Sequence, residues 1–281
     1  MVIKKRCSVS IACRVVALLK SSYYYQRKED SFEKRLRKKL HVLSRKYPRY
    51  GYRRMTALLK REGWPVNKKR IQRLMREEGL KVICKGRKRR RLGLSTAERR
   101  QALYRNHVWS WDIVHDRTET GRQLKFLVIV DEYTRQSLKI HAGKHLTSED
   151  VIHELRNIMK TQGVPEHIRS DNGSEFIAKA VSRWLAFYRV KTIYITPGSP
   201  WENPYIESFN GKFRDECLNR ELFLSILDAR VIVEEWRQEY NAERPHSALN
   251  YMTPDEFAKS SKPAVALPPL LRIANKANLG A

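Results

Sequence analysis

Residues 108–140 read VWSWDIVHDRTETGRQLKFLVIVDEYTRQSLKI, and three runs within them, 108–114, 125–130 and 137–140, are short and apolar or β-branched. Between the runs lie the turn-like Thr118-Glu119-Thr120-Gly121 and Asp131-Glu132-Tyr133-Thr134-Arg135. Runs of this length and composition, bounded by turn residues, predict three consecutive strands joined by hairpins. Downstream, the pattern predicts a helix over 148–162 capped by Thr147 or Ser148, a strand at 167–170, a helix over 174–188 and a strand at 191–195. A Pro/Gly/Ser loop at 196–204 then leads into a helix from about 205 to 219. The order β-β-β-α-β-α-β-α makes the fold class α/β, a mixed five-stranded sheet flanked by helices. One more helix is expected over 227–240, and no periodicity is visible after about residue 259.

Upstream of residue 80 the pattern is helical. Leu36, Leu40 and Leu43 recur about once per turn, followed by Tyr52, Met55, Leu58 and Leu59. Gly63 ends one helix, and Asn67 is a good N-cap for the next, which turns Ile71, Leu74 and Met75 inward until Gly79 stops it. This is helix-turn-helix grammar, and its outward face is expected to carry Lys68, Lys69, Arg70, Arg73 and Arg76, suited to phosphates and a major groove. An ordinary basic helical hairpin fits the same pattern. The run KVICKGRKRRR at 81–91, with Lys88, Arg89 and Arg90, is too charged to fold on itself; it is a DNA-gripping arm or a solvated linker.

The charge distribution supports a polyanionic partner. The formal net charge is +27, of which residues 1–100 carry +26 and residues 101–281 carry +1. A surface that basic repels itself unless nucleic acid or an anionic membrane neutralises it. No apolar run reaches the roughly 18 residues of a membrane span. The stretch from Met1 to Leu19 has the outline of a signal peptide, but Arg14 interrupts it and no small-residue cleavage site follows. Cys7, Cys13, Cys84 and Cys217 lack the spacing of a zinc site or a disulfide framework, which suits reduced thiols in the cytoplasm. His141 and His145 have an H-x-x-x-H spacing with no matching ligands and are expected on an edge strand and a loop.

Three acids stand out. Asp112 lies inside the first strand, where a carboxylate among Trp111, Ile113 and Val114 needs a partner. Asp171 follows the fourth strand in SDNGSEF, and Glu207 lies on the helix after the Pro/Gly loop. If strands one and four are neighbours and that helix crosses them, the three converge, and hard oxygen ligands around a gap suit Mg2+ or Mn2+. Taken singly, Asp171-Asn172-Gly173 is first a turn and Glu207 first a helix-surface residue. Asp131, ending the second strand, competes on position alone.

The segments WSWDIVHD, SDNGSEF and PGSPWENPYIESFNGKFRDE, with 35 residues between Asp171 and Glu207, resemble the three acidic motifs of integrases and transposases with a ribonuclease H-like core. YGYRRM at 50–55, VNKKRIQRLMREEGL at 66–80 and YNAERPHSALNYMTPDEF at 240–257 further resemble the OrfB-type, second-frame product of bacterial insertion sequences that fuse two frames by frameshifting. The resemblance implies a DNA transposase in which Asp112, Asp171 and Glu207 bind two metal ions. It implies cleavage at the element's ends, then strand transfer by the freed 3′-hydroxyl. Arg214, seven residues after Glu207, is implied to contact the element's end, and helix periodicity independently places it on the face of Glu207. Asn203 would lie one turn before Glu207, and Lys212 points elsewhere, toward DNA or water. Arg53 and Arg54 join the candidate DNA contacts.

The expected organisation is a basic helical region at 1–80 with its helix-turn-helix at about 32–80, a linker at 81–105, a catalytic core at 106–222, a helical extension at 223–260 and a tail at 261–281. Expected partners are double-stranded DNA, further copies of the chain on that DNA, and an upstream-frame (OrfA) protein or fusion, in the cytoplasm at the nucleoid. Retroviral integrases begin with a His-His-Cys-Cys module; its cysteine pair is missing here, so no structural zinc is expected. The rival functions are a DNA-binding regulator with an inactive core and a ribonuclease H-type nuclease.

Overall fold

The computed structural model describes residues 8–25, 30–82, 101–170, 179–195 and 203–261. Its organising element is β1 (Val108–Arg117), central in a five-stranded sheet of order β3-β2-β1-β4-β5. β2 (Gln123–Asp131) and β3 (Ser137–Gly143) follow as antiparallel neighbours, and β4 (His167–Ser170) and β5 (Lys191–Tyr194) add in parallel on the other side. The fold class is therefore the mixed five-stranded sheet expected, with β4 directly beside β1. The β1–β2 ladder is longer than the apolar runs suggested, extending to Arg117↔Gln123. Antiparallel pairing uses backbone groups alone, so the ladder continues through the polar residues on either side of the Thr118–Gly121 turn.

Strand alternation divides the core in two. Trp109, Trp111, Leu127, Ile129 and Ile168 pack under α6 (Ser148–Gln162) and α7 (Lys179–Phe187). Val114, Phe126, Val128 and Ile140 pack on the opposite side, under α8 (Pro204–Phe213) and α9 (Ile226–Ala242). Asp112, in phase with Val114, belongs to the α8 side. Among the described residues no helix is long and apolar enough to cross a membrane.

Two short helices, α1 (Val9–Val15) and α2 (Lys20–Tyr24), precede the helical region built by α3 (Ser31–Lys46), α4 (Tyr52–Arg61) and α5 (Lys68–Glu77). Leu36, Leu40, Met55, Leu59, Ile71 and Leu74 are fully buried between α3, α4 and α5. The caps are those the sequence indicated: Asn67 accepts from the Arg70 amide at 2.8 Å, and Gly63 and Gly79 take φ of +80° and +69°, which favours glycine. The C-terminal part differs from expectation in two places. α8 ends at Phe213 and gives way to a π-turn over Arg214–Leu218, and a further helix, α10 (Pro254–Ser260), opens with a capping box between Thr253 and Glu256.

Candidate active site

Asp112 occupies the middle of β1 and is half-buried. Its Oδ1 accepts from the Ile113 amide at 2.8 Å and its Oδ2 from Asn210 Nδ2 at 2.5 Å. Asn210 lies three residues beyond Glu207, one turn along the same helical face. The contact thus sets the turn of α8 that carries Glu207 over the strand that carries Asp112. Ile206, Phe209 and Phe213 fasten that helix to the sheet: Phe209 packs on Tyr240 and Phe213 on Trp236, with centroids 4.9 and 5.0 Å apart. The Glu207 carboxylate is exposed and makes no hydrogen bond or ion pair with the described residues. Partial burial moves its pKa above the ordinary carboxylate value. Asp171 lies outside the described residues; the residue before it, Ser170, ends β4 and is fully buried.

Beyond α8, Arg214 donates to the His115 carbonyl at 3.0 Å, so it too lies along β1. Lys212 turns away from that face and donates to Ser208 Oγ at 2.9 Å. Asn203 is the N-cap residue of α8 and is buried, with the Glu207 amide donating to its carbonyl at 3.3 Å.

The competing acid Asp131 has a structural job. It is 1% exposed, and its oxygens accept from the amides of Asn106, Tyr133 and Thr134 at 2.7 to 2.8 Å, which closes the β2–β3 turn. Its neighbour Glu132, not singled out from the sequence, is bound by Ser110 Oγ and by Arg169 Nε, the latter at 2.7 Å. Burial pushes the Glu132 carboxyl up while Arg169 pulls it down. This pair braces β1 against the end of β4, immediately before Asp171. No sequence signal marks it, because its members meet only once the sheet forms. Asn210 was findable, standing at the i+3 position from Glu207.

The basic face expected on α5 does not form as one surface. Lys68, Lys69 and Arg76 are exposed, but Arg70 and Arg73 turn to α3 and pair with Glu33 at 3.2 and 3.0 Å. Arg53 is exposed against the Tyr52 ring, whereas Arg54 reaches Glu216 at 3.3 Å. Lys88, Arg89 and Arg90 lie outside the described residues. His141, on the edge strand β3, is held by Glu154 at 2.7 Å. Among the described residues, one group of His, Cys, Asp and Glu could hold a metal ion: His107, Glu166 and His167, at the far end of β1 and β4. There the Leu103 amide donates to His107 Nδ1 at 3.1 Å, which leaves the neutral ring's hydrogen on Nε2 and removes a ligand.

The integrase core domain family matches residues 104–200 and, in a second form, 188–254, and an HTH-like domain matches residues 29–88. The chain is 41% identical over 259 residues to the insertion element IS407 uncharacterized 31.7 kDa protein of Burkholderia multivorans, covering 92% of each. It is 24% identical to the transposase InsF for insertion sequence IS3A of Escherichia coli K12, covering 89% of this chain and 93% of that one. In fold it resembles a chain of the simian T-cell lymphotropic virus intasome, with a TM-score of 0.50, 17% identity, and coverage of 83% of this chain and 76% of that one. With a helix-turn-helix-like region ahead of an integrase core, the chain belongs to the insertion-sequence transposases of the IS3 type.

Proposed function

We propose that Asp112, Asp171 and Glu207 form the metal-binding catalytic site of this DNA transposase, and that the chain cuts the ends of its element and joins the freed 3′-hydroxyl to a second phosphodiester. The observation that carries the reading is the Asn210–Asp112 contact, which brings the turn of α8 bearing Glu207 over β1. β4, paired in parallel with β1, ends one residue before Asp171. The donor set fits a divalent ion: carboxylate oxygens are the hard ligands such an ion takes, and the Glu207 carboxylate makes no hydrogen bond or ion pair among the described residues, while Asp112 is oriented by the Ile113 amide and Asn210. The three carboxylates would hold two Mg2+ or Mn2+ ions, which would supply positive charge at the attacking and leaving oxygens. Around them, Asn210 fixes the Asp112 carboxylate, Arg214 offers a cation for the element's end, and Arg169 with Glu132 keeps β4 in register beside β1. The basic helical region and the run at 81–91 hold the DNA, while residues 106–222 carry out the reaction. Further copies of the chain on DNA, and an upstream-frame partner, belong to the same proposal.

The test is cleavage and joining of duplexes bearing the element's ends. Asp112→Asn, Asp171→Asn and Glu207→Gln each lower both steps by about 10³-fold in Mg2+, and chelation of the metal abolishes them. Duplex binding persists in all three variants. Full joining by Asp171→Asn sinks the assignment; nicking without a joined product makes the chain a nuclease; binding without nicking makes it a regulator.

A further inference from the structure

The reverse side of α8 borders a cavity of about 340 Å3. Its lining includes Arg54 from α4, Arg135 from the β2–β3 turn, Ser208 and Lys212 from α8, and Arg244 and His246 from the segment after α9. The carboxylate that reaches these cations, Glu216, is already engaged. It accepts two bonds from Arg244, at 2.7 and 2.6 Å, and one from Arg54 at 3.3 Å. Arg135 and Lys212 are left over. Arg135 forms no ion pair among the described residues; its guanidinium lies 3.8 Å from the centroid of the Tyr205 ring, and its Nη1 is buried without a hydrogen-bond partner. Its backbone is held at φ +64°, in the left-handed region that a non-glycine residue adopts only at a cost. Lys212 has the Ser208 hydroxyl and, among the described residues, no carboxylate within ion-pair distance.

Burial first, and then Arg244, Arg54 and Arg135, bring the Lys212 pKa down to about 7 despite the opposing pull of Glu216. Burial and the same cations, with Lys212, keep His246 neutral, with its pKa pushed down to about 2, so it can accept from Arg244 at 3.3 Å. The cavity therefore concentrates N–H and O–H donors, and among the described residues its one counter-anion, Glu216, is spent on Arg244 and Arg54. A tetrahedral oxyanion answers both deficits, because charge-assisted bonds to phosphate are among the strongest available.

We propose that this cavity receives a backbone phosphate of the bound DNA, gripped by Arg135 and Lys212 with the Ser208 hydroxyl. Lys212 follows Glu207 by five residues, about 140° around the helix, and opposite faces of a helix are separated by about 10 Å. The phosphate held here is accordingly not the reacting one but another on the same duplex, so that DNA is held on two sides of one helix. The proposal rests on the transposase reading.

Binding of the full chain to a mixed-sequence duplex, measured by fluorescence anisotropy over a salt series in chelator, tests it without invoking catalysis. Lys212→Gln and Arg135→Gln each lower the slope of log affinity against log salt by about one. Lys212→Arg keeps the wild-type slope, as does Arg156→Gln, an equal loss of charge on the exposed side of α6. A second readout needs no variant: acylation of Lys212 in the wild-type chain, followed by mass spectrometry, slows about tenfold when duplex is added, the effect of raising its pKa by about one unit. Unchanged slopes in both glutamine variants overturn the proposal, as does protection of Lys212 by inorganic phosphate but not by duplex, which assigns the cavity to a free anion. If the wild-type chain joins DNA while those results hold, only the cavity is misassigned; if it fails to bind duplex at all, the transposase reading falls with it.

Discussion

The helical region and the sheet core use charge in opposite ways. In the helical region, cations are satisfied at home: Glu33, 7% exposed, receives Arg37, Arg70 and Arg73, while Glu77 and Glu78 take up Arg37 again and Glu78 also holds His41. In the core, Glu207 stands without a cationic partner among the described residues, on the helix whose Asn210 binds Asp112. The number of basic residues in the first hundred thus overstates the cations that face DNA, since some of them tie α3 to α5; the net excess of +26 is carried by the others. The near-neutral core also pairs charges, Glu132 with Arg169 and Glu216 with Arg244, but Glu207 is left outside these pairs among the described residues. Charge density in a sequence locates where electrostatics matters, and only the partners reveal whether it builds the fold or awaits a substrate.

Breaking the comparison on the core side has the largest effect. Asn210→Ala removes the amide that orients Asp112 and lowers the joining rate by roughly 10- to 100-fold, in line with the loss of a group that orients a metal ligand. The deficit is partly recovered at higher Mg2+ or Mn2+, as a metal titration of the joining reaction would show. Equal rates for wild type and variant at every metal concentration reduce the contact to helix packing.

On the helical side, Glu33→Ala leaves three arginines clustered without their shared acceptor and costs about 1–2 kcal/mol, less than a fully buried pair because the arginines are partly solvated. Thermal unfolding at low salt registers the loss, while joining by the folded fraction is unchanged. A variant of wild-type stability would mean that the network is ornamental.

The smallest effect sharpens the contrast through pH. Lys212 has a folded-state pKa of about 7, below its unfolded value of about 10.4, so between those values the unfolded chain holds the extra proton and stability rises with pH. Lys212→Met removes this contribution. The variant's advantage over wild type in denaturant melts is therefore greatest below about pH 7 and shrinks as the pH rises toward 10. An advantage independent of pH would show that burial does not hold the amine down.

Much of the fold could be read from local pattern. The strands at 108–114, 125–130 and 137–140 declared themselves by composition, and α5 by its Asn67 cap and Gly79 stop. The hairpin extension to Arg117 and Gln123 could not, because a ladder made of backbone bonds leaves no mark on polar side chains. α10 escaped notice because about two helical turns from Pro254 offer little periodicity, although Thr253 and Glu256 carry the spacing of a capping box. The site divides along the same line. Asp112 and Glu207 stood out by motif, and Asn210 lay within reach of helix arithmetic. Glu132 with Arg169, and Arg70 and Arg73 with Glu33, depend on pairings between elements distant in sequence, which no local pattern encodes.

The π-turn after α8 has a consequence for how the chain tolerates change. It lets one continuous segment answer to two fixed points: Glu207 toward β1 at its start, and Glu216, clamped by Arg244 and Arg54, at its end. Adding or deleting a residue between them would swing one anchor by about 100° relative to the other. The interval from 207 to 216 behaves as a ruler, permissive in many of its letters and strict in its length.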